Sequence, residues 1–240
     1  MDSFRIFKSW HVLLEHHQNR FARGLEAVVR ENDVWLDVGA GTKLHDGWEG
    51  LDQAALAARS SVLVGCDLEI GHLGRNPYLQ AAVGASLYDL PFADNSFDLI
   101  SANMVVEHLE FPNKALREIQ RVLRQGGRFV FVTPNVNNPI IRLASLLLHR
   151  RVRTALAHVV EKRALEHIFP TYYKANTPSA IRTLSAEARL RAEVVEVFQT
   201  WPFMKDNRIL RNLELIFIQL VDRLGRGVLG TNLFAVLEKP

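Results

Sequence analysis

At 240 residues, with 48% hydrophobic and 23% charged, the chain has the size of one well-filled α/β domain and the composition of a globular protein. That excludes two domains of equal size, a disordered chain and a collagen-like repeat. A net charge of +3 is too small to demand nucleic acid, one cysteine, Cys66, forms no internal disulfide, and no run approaches the roughly 18 apolar residues that cross a bilayer.

The first residues lack the continuous apolar core of a secretory signal, so a reducing, cytoplasmic setting is expected. Residues 1–30 place Trp10, Leu13, Leu14, Phe21, Leu25 and Val28 at near-helical spacing, which predicts a helix on one flank of a sheet. Short apolar runs at 33–39, 61–67, 96–102 and 127–134 then read as parallel strands buried on both faces. Ahead of the last of these, "NKALREIQRVLRQGG" sets Leu116, Ile119 and Leu123 on one helical face, with Gly126 and Gly127 expected to end the helix. Residues 138–176 exceed an ordinary strand-to-helix connection and are read as a helical cover over the carboxyl edge of the sheet. Thr177 and Pro178 begin a further helix, followed by the strand "AEVVEVFQ", a helix over 209–224 and a last strand "NLFAVLE". In the 209–224 helix, Leu210, Leu213, Phe217, Leu220, Val221 and Leu224 form the stripe expected to face the core, while Leu215 and Ile218 lie on the mostly polar side. Strands alternating with helices mean a doubly wound, mostly parallel α/β sheet, here a single domain with flank 1–30, core 31–137, cover 138–176 and remainder 177–240.

In such a sheet ligands bind outside the carboxyl ends of the strands, and here those ends are polar: "DVGAG", then Asp67 in "GCDLE", Asp89 in "LYDLPFAD", and "SANMVVEH". Gly39 and Gly41 let backbone approach a ligand, and an acidic residue ending the second strand can take both hydroxyls of a ribose. A dinucleotide fingerprint would need a small residue where Leu44 stands, and Lys43 after Thr42 does not make the phosphate-cradling G-K-[ST] tail. The site is therefore expected to take ribose and adenine without a phosphate chain.

In their order, "LDVGAG", "GCDLE", "LYDLPFADNSFDLISANMVVEHL" and "LREIQRVLRQGGRFVFVTPN" resemble the class I S-adenosylmethionine-dependent methyltransferases, above all the group similar to the ubiquinone and menaquinone C-methyltransferases. The resemblance covers residues 34–135. It implies a seven-stranded, Rossmann-like sheet with a final antiparallel strand pair at one edge, and S-adenosylmethionine as cofactor. It implies further that Asp37, Gly39, Ala40 and Gly41 surround the methionine part, that Asp67 holds the ribose diol, and that Leu68 packs on adenine. By the same resemblance Asp89 and Leu90 meet the adenine amino edge, and Asn103 and Met104 line the sulfonium side. A departure stands at Lys43, where the group commonly has another glycine. "LHDGWEG" reads as a lengthened loop before a helix that starts near Asp52.

His108 and Glu107, with His167, Tyr172 and Tyr173 from the cover, are candidates for taking a proton from an acceptor; the "EH" pair of the resembling group is also read as shaping the site. His11, His16 and His17 do not form the H-E-x-x-H pattern, and no metal is expected. His149, Arg150, Arg151 and Arg153 follow "IIRLASLLL", an arrangement suited to an anionic membrane surface, an acidic substrate or the cationic end of a packed helix. The acceptor is expected to be a small molecule, amphiphilic in character, such as a prenylated ring, a lipid-linked sugar or a polyketide-like acid, with peripheral membrane contact as an accompanying expectation. Two alternatives stand beside it: a catalytically silent cofactor-binding or partner-binding subunit, and a nucleic-acid methyltransferase. Nucleic acid is not expected, since "SANMVV" stands where such enzymes carry an N/D-P-P-[YFW] tetrad.

Overall fold

The strand order is the first consequence of those apolar runs, and it follows from a computed structural model that describes residues 16–42, 52–147, 169–200, 208–225 and 228–240. Seven strands form one sheet in the order β3-β2-β1-β4-β5-β7-β6. They are β1 (Asp33–Val38), β2 (Ser60–Asp67), β3 (Ala81–Gly84), β4 (Phe97–Asn103), β5 (Leu123–Pro134), β6 (Arg191–Phe198) and β7 (Asn232–Glu238). The first five pair in parallel, and β7 runs antiparallel between β5 and β6. The chain order reverses between β1 and β4, which opens a crevice at their carboxyl ends.

Both faces are covered, which is why the central strands are apolar on either side. On one face Trp35, Leu63, Leu99, Val130 and Val132 pack with Phe21, Leu25 and Val29 around α1 (His17–Val28) and with Leu56 and Ala57 of α2 (Gln53–Ala58). The other face sets Leu36, Val38, Ile100, Ala102, Phe129 and Phe131 against α4 (Pro112–Val122), while α3 (Ile70–Leu73) is a single turn. The remaining helices are α5 (Pro139–Leu147), α6 (Pro178–Glu187) and α7 (Arg208–Gly225). Asp52 caps α2 by accepting from the Ala54 and Ala55 amides, and Thr177 caps α6 by accepting from Ala180. No described helix is long and apolar enough to cross a membrane.

Three expectations are corrected. The helix before β5 ends at Val122, not at the glycines: Leu123 already takes an extended conformation, and Gly126, at φ +71°, sits inside β5. A weak strand, β3, is added; its "AAVG" is short and largely exposed, so it carries no apolar run for periodicity to find. The expected core stripe of α7 faces outward, since Leu213, Phe217 and Leu220 are exposed while Ile218 is buried. Apolar residues occupy both sides of that helix, so spacing alone does not choose the buried one. The side chains of Leu210, Val221 and Leu224 lie outside those described, as do Trp10, His11, Leu13, Leu14, Lys43, His149, Arg150, Arg151, Arg153 and, for the cover, residues 148–168.

At the amino edge of the sheet, away from the crevice, Arg128 pairs with Asp33 at 3.0 Å and donates to the Val28 carbonyl, tying α1 to β1 and β5. At the same edge Lys239 donates to the Gln120 and Leu123 carbonyls and to Asn95. The opposite edge is left to binding.

Candidate active site

The crevice is built on a turn that only small residues permit. After β1 the amides of Gly39 and Ala40 donate to the Cys66 carbonyl at 2.7 and 3.3 Å, which folds the turn against the end of β2. Gly39 stands at φ +67°, and a Cβ there would meet Val105 Cγ2 at 2.5 Å; Gly41 stands at φ +47°. The Gly41 amide donates to Asp67 Oδ2 at 3.2 Å, and Glu69 N donates to the other oxygen at 3.0 Å. These bonds aim Asp67 along the turn. Ala40 is buried, and its carbonyl accepts from the buried Asn76 amide at 3.2 Å.

Asp37 lies at the base of the crevice, 4% exposed. Ser101 on β4 donates to its Oδ1, and Trp35 Nε1 donates to the Ser101 hydroxyl oxygen at 2.7 Å. Burial pushes the carboxyl up to about 7, the Ser101 hydrogen bond opposes that rise, and the Asp67 charge adds to it. Burial, with the charge of Asp67, likewise pushes the Cys66 thiol up to about 11, so this buried cysteine stays a thiol.

The residues beyond β2 divide. Leu68, which follows β2 directly, is 66% exposed. Asp89 is exposed beside the turn it closes with Ser86, but Leu90 is not brought to the site. Its side chain is in the core, its amide donates to Glu118 at 3.0 Å, and its carbonyl accepts from Arg121 at 2.9 Å. Arg121 also holds the Phe92 carbonyl and Asp94, so α4 fixes the whole loop that presents Asp89. Salt bridging and hydrogen bonding to Arg121 hold the Glu118 carboxyl below its usual range.

At the end of β4, Asn103 and Gln18 exchange amide hydrogen bonds of 2.6 and 3.3 Å, which brings the first turn of α1 to the crevice. Met104 follows at φ +56°, an uncommon conformation for a side chain of its size, with its amide donating to the Val132 carbonyl at 3.0 Å.

The Glu107 carboxyl is buried and accepts from Thr133 Oγ1 at 2.9 Å, and Asn176 Nδ2 donates to that hydroxyl at 2.7 Å. The Glu107 carbonyl accepts from the amides of Tyr172 and Tyr173, so the end of the cover docks on this residue. Glu107 is a scaffold here. His108 beside it is partly open: the Pro170 carbonyl, 2.9 Å away, can only accept, so Nδ1 carries a proton, and Nε2 lies 3.9 Å from Glu107 Oε1. Phe169 packs edge-on to the His108 ring, and Tyr172 lies beside Lys174. His167 lies outside the described residues.

Sequence reading missed Gln18, Asn76, Ser101, Thr133 and Asn176. For Ser101 a signal existed, since a hydroxyl in the middle of the apolar "FDLISAN" has to find a partner in the core. Gln18 and Asn176 join the site through tertiary contacts that no local pattern marks.

Residues 36–131 match the family model described as a methyltransferase domain. The chain is 31% identical over 176 residues to a demethylmenaquinone methyltransferase of Clavibacter sepedonicus, an overlap of 70% of this chain and 58% of that relative. It spans little more than half the length of the curated relatives it matches. Among solved structures, an S-adenosylmethionine-dependent methyltransferase from Mesorhizobium loti superposes with a TM-score of 0.58 at 16% identity, covering 90% of this chain and 96% of that one. Geranyl diphosphate C-methyltransferase from Streptomyces coelicolor, determined with S-adenosyl-L-homocysteine, superposes with a TM-score of 0.57 at 15% identity over 92% and 77%. The fold is thus the Rossmann-like methyltransferase fold. Over residues 36–131 the chain is similar to the methyltransferase domain family.

Proposed function

We propose that the chain transfers a methyl group from S-adenosylmethionine to a small, amphiphilic acceptor. The observation that carries this reading is the pair of carboxyls, Asp37 and Asp67, around a turn whose glycines stand at positive φ. The donor set suits the cofactor: carboxylates and carbonyls favour its cationic sulfonium and ammonium, while no helix start is needed for a phosphate chain. Asp67 would hold the ribose diol, Leu68 the adenine face, Asp89 the adenine edge, and Asp37, Gly39, Ala40 and Gly41 the methionine part. Asn103 and Met104 would border the sulfur. When bound, the cofactor supplies an electrophilic methyl group.

The protein's part is then to orient an acceptor, exclude water and take a proton, because methyl transfer is an in-line displacement governed by placement. His108 is assigned the proton, since the Pro170 carbonyl holds Nδ1–H and leaves Nε2 as the acceptor. His167 and Tyr172 are assigned to the acceptor side of the cover. An amphiphilic acceptor is supported by the demethylmenaquinone methyltransferases among the relatives and by the exposed Phe169 against the His108 ring. The exposed face of α7, with Ile209, Leu213, Ile216 and Leu220, supports peripheral contact with the lipid from which such an acceptor would come.

Equilibrium dialysis of labelled S-adenosylmethionine against the Asp67→Ala variant tests the assignment. Loss of charge-assisted hydrogen bonds to the diol should weaken binding roughly 10- to 100-fold, with the fold retained. Unchanged affinity in a folded variant would remove Asp67 from the site.

A further inference from the structure

Among the described residues, the buried acid Asp37 meets no cation. On the same strand Asp33 is buried as deeply, yet Arg128 meets it at 3.0 Å. Among the described residues Asp37 takes a side-chain hydrogen bond from the Ser101 hydroxyl alone, and the direction of that bond is fixed by chemistry. An indole N–H can only donate, so Trp35 fills an acceptor position of the Ser101 oxygen and turns its hydrogen toward Asp37. All three groups are in the core: Trp35 and Ser101 are 0% exposed.

The elements packed around Asp37 bring no positive charge to it among the described residues. From β2 come Asp67, whose charge opposes ionisation, and the Cys66 thiol. From β4 come Ser101 and Asn103, both neutral. On α1, Gln18 is held by Asn103, the His16 Nδ1 accepts from the Gln18 amide, the His17 ring stacks on that of His16, and Arg20 is paired with Glu196 and lies over Phe234. No described residue supplies the positive partner that would let Asp37 ionise, and that role is assigned to the ligand.

We infer that Trp35 and Ser101 are positioning residues that hold Asp37 ready to lose its proton, and that cofactor uptake drives this proton into solvent. The inference rests on placing Asp37 in the S-adenosylmethionine site. Only the carboxyl O–H bond breaks: the ligand's ammonium or sulfonium replaces the proton as the charge facing the carboxylate, and the buffer takes the proton. Burial already places the free acid near neutrality, at about 7, so the exchange would fall in the working pH range. Affinity should rise with pH through that value. Without Ser101 the ionised form loses its hydrogen bond, and the window should move to higher pH.

The test is calorimetric titration of the full chain with S-adenosylhomocysteine, whose ammonium is retained, in phosphate and in imidazole, which both buffer around neutrality and differ in ionisation heat. At about pH 6 the difference in heat should correspond to release approaching one proton, falling toward none above about pH 8. Asp37→Asn should bind without that release, and the comparison cancels the ligand's own ionisation. Ser101→Ala should keep the release but shift its midpoint upward, and Trp35→Phe, which only frees the hydroxyl to turn, should shift it less. Binding with equal heats in both buffers, or release that persists in Asp37→Asn, would overturn the inference while leaving the cofactor assignment standing. No binding by the unaltered chain would overturn both.

Discussion

Asp33 and Asp37 point from the same side of β1 and meet opposite electrostatic surroundings. Asp33, with Arg128, is a structural pair at the closed edge, and Asp37, at the open one, meets no cation among the described residues. The consequence for stability has a definite sign. The native carboxyl, raised to about 7 from 3.8, keeps a proton that the unfolded chain releases, so its contribution is full below the lower value and is lost as pH rises through the upper one. Above about pH 7 the ligand-free protein carries a penalty on the order of 4 kcal/mol. Asp37→Asn should therefore melt higher than the unaltered protein at about pH 8, and like it at about pH 4; thermal denaturation at the two values checks this. Gly39→Ala should act in the other direction. With a positive φ and Val105 in the way, it should cost at least about 1–2 kcal/mol and weaken cofactor binding in the same titration.

At the level of elements, the site depends on how the cover is rooted. Asn138, at its start, donates to the Leu229 carbonyl at 2.8 Å and caps α5. Asn176, at its end, is held to Thr133 and to the Pro134 carbonyl, while Thr133 also donates to Glu107. Thr133→Val would strip a donor from the buried Glu107 carboxyl and an acceptor from Asn176, so unfolding in urea should show a loss of roughly 2–3 kcal/mol. The end of the cover also reaches His108, where the Pro170 carbonyl accepts from Nδ1. His108→Ala should lower turnover about 100-fold or more with S-adenosylhomocysteine affinity unchanged; equal losses in both would make it a structural histidine.

These roots also show why the sequence was readable in some places and silent in others. The strands β1, β2, β4 and β5 and the caps Asp52 and Thr177 follow local chemistry, and local chemistry is what a sequence displays. Asp67 and the glycines were legible because a strand-ending acid and a tight turn are also local. Ser101, Gln18 and Asn176 act through partners on other elements, Asn103 and Gln18 being 85 residues apart. The end of α4 was misjudged because Gly126 looks like a helix stop and instead serves a positive-φ position within β5. The outward face of α7 shows the limit of periodicity, which finds a stripe but not the direction it faces.

At the scale of the whole molecule, stability and binding are assigned to opposite edges of one sheet. The amino edge is closed by Arg128 with Asp33 and by Lys239 on the end of α4; the carboxyl edge gathers the unneutralised acids, the glycine turn and the root of the cover. Arg128→Ala should thus cost about 3–5 kcal/mol in stability by stranding buried Asp33, without changing cofactor affinity in the protein that remains folded. The central claim is that this carboxyl edge is an S-adenosylmethionine site. A crystal structure with S-adenosylhomocysteine tests it most directly: the account predicts the ribose hydroxyls on the Asp67 carboxylate, adenine against Leu68, and sulfur toward Met104 on the side of His108. Ligand bound elsewhere, or a ribose that leaves Asp67 untouched, would contradict it.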